Sequence, residues 1–189
     1  MKEYTVNLKR IKLWIDEEIG LPFYNGSLVT FEIQAISKIK LDSKDVSVEF
    51  LLPYHASNYG CLSLRYSPNR TKTLKIKINS FNDKKIELED RLSVITDRIS
   101  LGINADYVRV MTDYIIDNGI VKMIPSGELD FYTGANSEIG SSIMSNLFAI
   151  EILLNLLLLN EYDFDEKQME EFINRCISMS KIKYGRMKK

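Results

Sequence analysis

The chain has 189 residues, 45% of them hydrophobic and 27% charged, and its 25 basic and 26 acidic side chains leave a net charge of −1. That is about one domain's worth of chain, and a chain of this size buries roughly 70% of the surface it exposes unfolded, so a core forms without staples. A disordered tail is excluded, and no global field announces nucleic acid or membrane as partner.

Residues 1–80 read as strands. Tyr4, Val6 and Leu8 alternate with polar neighbours, then Ile11, Leu13 and Ile15 alternate in the opposite phase, so a bulge or strand break is expected at Lys9-Arg10. A turn at Pro22 and Asn25-Gly26-Ser27 leads into Val29, Phe31, Ile33 and Ala35. Val46, Val48, Phe50 and Leu52 follow, then Leu62, Leu64 and Tyr66, and after Ser67-Pro68-Asn69 come Leu74, Ile76 and Ile78. Short runs with turn signals between them predict an antiparallel meander with one buried face.

The rest of the chain is mainly helical. Leu88, Leu92, Ile95 and Ile99 recur at helical spacing, which predicts a helix over 84–101 with Gly102 as its stop. A second helix is expected from Asn104 as N-cap to Asn118-Gly119. Ile120–Ile124 and Glu128–Thr133 read as strands around Pro125-Ser126-Gly127. Gly140-Ser141-Ser142 opens a long apolar helix from Ile143, and Asp165 with Gln168 caps a last helix that runs into a basic tail over 181–189. Strands first and helices later predict one α+β domain, an antiparallel sheet with helices packed on one face.

Few residue types remain for chemistry. Cys61 and Cys176 stand far apart with no CxxC pair and no apolar leader, which reads as two free thiols in a cytoplasmic protein. His55 is the single histidine, so zinc sites and histidine-based dyads or triads are not expected, and no metal or other cofactor is. The run Ile143–Leu159 is broken by Asn146, Glu151 and Asn155, which predicts a buried helix rather than a membrane span. Ser141 and Ser142 at a helix start could bind an anion, although capping is the plainer reading. Ser178-Met179-Ser180-Lys181 matches SxxK but lies at the end of the last helix, the wrong place for a nucleophile.

Charge distribution says more than the total. From Phe50 to Asn82 there is no acidic residue, while Arg65, Arg70, Lys72, Lys75 and Lys77 supply five positive charges. Arg65, Lys75 and Lys77 alternate with apolar residues and so are expected on the exposed sheet face. Tyr54, His55, Asn58 and Tyr59 occupy the adjoining loop, where aromatic rings could stack on unpaired bases. A solvated face is the competing reading, since lysines also guard strand edges.

Three segments taken in order resemble domain IV of elongation factor G, a domain of the ribosomal protein S5 domain 2-like fold. Ser57-Asn58-Tyr59-Gly60 with Pro68 is similar to that family's tip loop and following strand. Gly102 with Tyr107-Val108 is similar to its helix entry, and Gly140-Ser141-Ser142 with Phe148-Ala149 to its next helix start. The likeness spans roughly residues 28–160. It implies a two-layer sandwich, with a tip loop around His55–Tyr59 that touches ribosomal RNA or a related surface. Three expectations therefore stand side by side: a non-catalytic module that binds RNA or the ribosome; a protein–protein inhibitor or immunity-type partner, which the ten tyrosines suit; and a nucleotide or small-molecule enzyme resting on Ser141 and Ser142.

Overall fold

In the computed structural model, residues 1–6, 9–21, 26–53, 59–80, 85–86, 92, 99–138, 140–160 and 162–187 are described. The alternating segments form the strands β1 (Lys2–Val6), β2 (Lys9–Ile15), β3 (Ser27–Gln34), β4 (Lys44–Leu51), β5 (Tyr59–Pro68) and β6 (Thr73–Ser80). The phase reversal near Lys9 is a strand break, with β1 antiparallel to β2 and Tyr4 opposite Ile11. The short strands β7 (Lys85–Ile86) and β8 (Ile99–Leu101) follow, then the helix α1 (Ala105–Asp117), the strand β9 (Gly127–Ser137) and the helices α2 (Ile143–Leu158) and α3 (Glu166–Met187). The protein is α+β, a mostly antiparallel sheet with three helices against it.

Four sequence expectations need correction. The sheet is not a sequential meander: its order is β1-β2-β4-β5-β9-β6-β3, so β9 lies between β5 and β6 and is parallel to β6. No single helix spans 84–101, because both β7 and β8 are strands and β8 pairs with Ala135–Ser137 of β9. Gly102 does take a positive φ of 93°, as a stop residue would, but it follows a strand. Ile120–Ile124 is not a strand; a 3₁₀ turn covers Val121–Met123, where the Asn118 side chain accepts from the Ile120 amide. Residues 181–187 complete α3 instead of leaving it as a tail.

The inward row of each central strand (Val46, Val48 and Phe50; Leu62, Leu64 and Tyr66; Leu74, Ile76 and Ile78) meets the helix layer in the main core. Helix α2 is apolar all round because it lies over β4 and β5 and also touches α1 and α3. Its N-terminus is closed by a capping box of Ser142 and Ser145. Lys44 donates to the Leu157 and Leu159 carbonyls at its other end, at 3.0 and 2.9 Å, a favourable place for a cation. Gly60 is dictated by packing, since a Cβ there would sit 2.5 Å from the Phe50 ring.

One charge lies inside the helix layer. Glu151 of α2 is 1% exposed and accepts from Tyr114 Oη (2.7 Å) and Asn118 Nδ2 (2.9 Å) at the end of α1. Lys183 Nζ of α3 reaches both of its carboxylate oxygens at 2.8 Å, and Asn118 Oδ1 at 2.9 Å. Burial, then the carboxylate, raise the Tyr114 phenol far above its ordinary value, so it stays a donor.

Removing one partner of such a pair strands the other. Glu151→Ala is expected to cost ~3–5 kcal/mol. Lys183→Met should cost a comparable amount, because it strands a carboxylate that is 1% exposed, whereas the lysine left by Glu151→Ala keeps 18% of its side-chain surface in solvent. Urea unfolding at constant m-value reads both.

Candidate functional site

The predicted basic residues occupy two places. Arg65, Lys75 and Lys77 do project from the sheet face opposite the helices, as the alternation predicts. They do not form a free positive stripe there. Arg65 Nε and Nη2 donate to Asp45 Oδ2 at 2.9 and 2.6 Å, with the guanidinium 4.8 Å from the Tyr132 ring centroid. Tyr132 Oη donates to the other oxygen of Asp45 at 2.8 Å. Lys77 donates to Glu128 and stands opposite Asp130, while Lys75 stands opposite both Glu32 and Glu128. Burial holds the Asp130 carboxyl above its ordinary value, and the Lys77 ammonium offsets only part of that rise.

The acid-free run is thus a property of the sequence and not of the surface. Residues 50–82 supply the cations, and β3, β4 and β9 insert carboxylates between them. Of these five cations, Arg70 and Lys72 are the two that are exposed with no ion pair among the described residues. They flank Thr71, in a turn where Asn69 Oδ1 accepts from the Thr71 amide and hydroxyl and Ser126 Oγ donates to the Asn69 carbonyl.

The expected loop cluster is divided as well. Tyr54, His55 and Asn58 lie outside the described residues. Tyr59 opens the ten-residue β5, which ends at Pro68, so Tyr59 and the Arg70–Lys72 turn are roughly 30 Å apart. The Tyr59 ring is not available for stacking. It is 1% exposed, in a second small core with Trp14, Ile19, Cys61, Leu92, Ile99, Leu101 and Ala135. Its hydroxyl donates to Glu49 Oε1 at 2.9 Å, and the Leu92 amide donates to the same oxygen at 3.0 Å. This buried Glu49 was not legible in sequence: Asp45, Ser47 and Glu49 alternate with Val46, Val48 and Phe50 as an ordinary solvated row would.

Ser141 and Ser142 are engaged within the protein. Ser142 Oγ accepts from the Met144 amide at 3.1 Å, and its own amide donates to Ser145 Oγ at 2.9 Å. Ser141 Oγ accepts from the Ser137 amide at 2.8 Å and donates to the Tyr59 carbonyl at 3.0 Å, tying β5 to the α2 entry. Ser178 lies on the exposed face of α3, while Lys181 extends over the Phe148 ring. Among the described residues no cluster of histidine, cysteine and carboxylates could hold a metal ion, and no helix is long and apolar enough to cross a membrane.

No protein family, curated protein or solved structure matched this chain on comparison.

Both thiols are free and buried. Burial, reinforced by Glu151, pushes the Cys176 thiol up to about 12, far from the thiolate range a nucleophile needs. A thiol reagent at pH 8 should therefore titrate neither cysteine in the native protein and both in urea. Rapid native labelling of Cys176 would contradict its placement.

Proposed function

We propose that this chain is a non-catalytic module that binds another protein, and that it does so through the outer edge of β3. The observation that carries this reading is the contrast between the two edges of the sheet. At β1, which is five residues long, α3 packs close by and Lys2 is tied to Asp163 and the Tyr162 carbonyl. At β3, which is eight residues long, the outer side pairs with nothing among the described residues, and Leu28, Val29, Ile36 and Ile39 stand exposed on or just after it. Natural sheets blunt such edges with lysine, proline or bulges. Residues 27–35 contain none of these, and the register with β6 runs without a break. Strand addition at a bare edge is a recurrent mode of protein recognition.

Thr30→Pro tests this, because proline is tolerated where an edge strand's N–H faces solvent. A tagged chain incubated with nuclease-treated extract should retain a protein partner, and Thr30→Pro should lower that retention at least tenfold. Retention that survives the substitution but vanishes with nuclease would overturn the reading.

The second reading is the RNA- or ribosome-associated one. What favours it is topology: β4, β5, β6, α1, β9 and α2 follow one another with β9 parallel to β6 across the α1 connection. A parallel strand pair bridged by a helix is compatible with the two-layer sandwich that the likeness to elongation factor G domain IV implies. Arg70 and Lys72 are the exposed cations that would meet phosphate. Under this reading Arg70→Ala with Lys72→Ala weakens RNA binding and flattens its salt dependence by about two counterions' worth of slope. Arg65→Ala leaves it nearly unchanged, as Arg65 is already spent on Asp45.

A further inference from the structure

We infer that the strand which completes β3 is β3 of a second copy of this chain, paired antiparallel about a two-fold axis through Phe31. This rests on the reading of β3 as a protein-binding edge and names its occupant.

Backbone parity comes first. Ala35 N donates to the Lys72 carbonyl at 3.1 Å, extending the β3–β6 register by one residue. In an antiparallel pair, alternate residues exchange both hydrogen bonds with the partner strand. The odd-numbered residues of 27–35 therefore turn their amides and carbonyls toward β6, and Leu28, Thr30, Glu32 and Gln34 turn theirs outward. A two-fold perpendicular to the sheet keeps each face on its own side, so a residue can only meet a residue of its own parity.

Side chains then choose the register. Centring the pair on Phe31 uses the whole extended stretch from 27 to 35. Thr30 then meets Glu32 of the second copy, Leu28 meets Gln34, and about eight outward hydrogen bonds form. The odd row, Val29, Phe31 and Ile33, lies on the core side opposite Ile78, Ile76 and Leu74. It would meet the same row of the other copy in reverse order and carry the apolar layer across the junction. On the opposite face the sequence of residues across four strands becomes Lys77, Thr30, Glu32 and Lys75, with no like charges adjacent. Moving the axis by one residue to Glu32 would set two carboxylates face to face, which strand pairs avoid. The stretch is thus complementary to itself in shape, polarity and charge, which an arbitrary foreign strand would have to match by accident.

The test is the mass of the purified full-length chain by sedimentation equilibrium across a wide concentration range, with three variants. The wild type is expected to reach the dimer mass. Thr30→Glu places a carboxylate against Glu32 of the other copy at both symmetric positions and should raise the dimer dissociation constant at least tenfold. Because Thr30 is exposed on its own copy, this variant should keep the wild-type thermal midpoint at concentrations where both are monomeric. Adding Glu32→Thr to Thr30→Glu removes the facing carboxylate without setting a cation against Lys75 and should restore the dimer. The double variant Thr30→Cys/Glu32→Cys should form an intermolecular disulfide on oxidation, since directly paired residues lie about 5.5 Å apart between Cα atoms. Thr30→Cys alone should form little.

A wild type that stays monomeric throughout, or a dimer indifferent to Thr30→Glu, overturns the pairing. A monomer that still retains a different protein sensitive to Thr30→Pro would leave the edge reading intact while removing the second copy. A monomer with no such partner would remove both.

Discussion

Three helices share one carboxylate. Glu151 lies in a helix that is apolar on most sides, with Asn146 bonded to Asn136 of β9 near its start, so burial of apolar area alone fixes its placement only loosely. The carboxylate removes that freedom, because only one placement of α2 brings it under Tyr114 and Asn118 while leaving room for Lys183. Burying both charges carries a desolvation penalty, and an apolar substitute of equal volume could be as stable. What the pair supplies is register: α1 is fixed by two side chains one turn apart, α3 by the lysine, and the sheet below by the row of leucines and isoleucines that α2 presents.

Much of the helix layer was legible because the signals that set it are local. Asn104, Ser142 and Asp165 each cap the helix their position announces, since capping needs only the next two or three amides. The strands of residues 1–80 were legible for the same reason, as period-two alternation records a single buried face. What the sequence could not record is which strand lies beside which. The place of β9 is decided by contacts between residues about sixty to seventy-five positions apart along β5 and β9. The helical spacing of Leu92 and Ile99 was outweighed in the same way, with Leu92 and Ile99 both taken into the small core around Trp14 and Tyr59.

The charged residues teach a related lesson. An acid-free run invites a reading as a phosphate-binding surface, yet in a sheet the neighbours of a side chain belong to other strands. Arg65 is matched by Asp45 and Lys77 by Glu128, both from outside the run. Only a cation at a turn, where no strand lies alongside, stays both exposed and clear of a facing carboxylate. Arg70 and Lys72 meet that condition, and the other three do not.

The insertion of β9 also bears on how the chain reaches its fold. Without it the sheet is two separate pieces, β1-β2-β4-β5 on one side and β6-β3 on the other, each complete once residue 80 has been made. Neither piece can close on the other, because the central position waits for residues 127–137. During synthesis the inner edges of β5 and β6 are therefore bare at the same time as the outer edges of β3 and β1, which still awaits α3, and four unpaired edges coexist on one nascent chain. Long-range closure of this kind is slow and open to aggregation. The last strand to arrive is the one that makes the sheet continuous, so folding is completed from the middle outward.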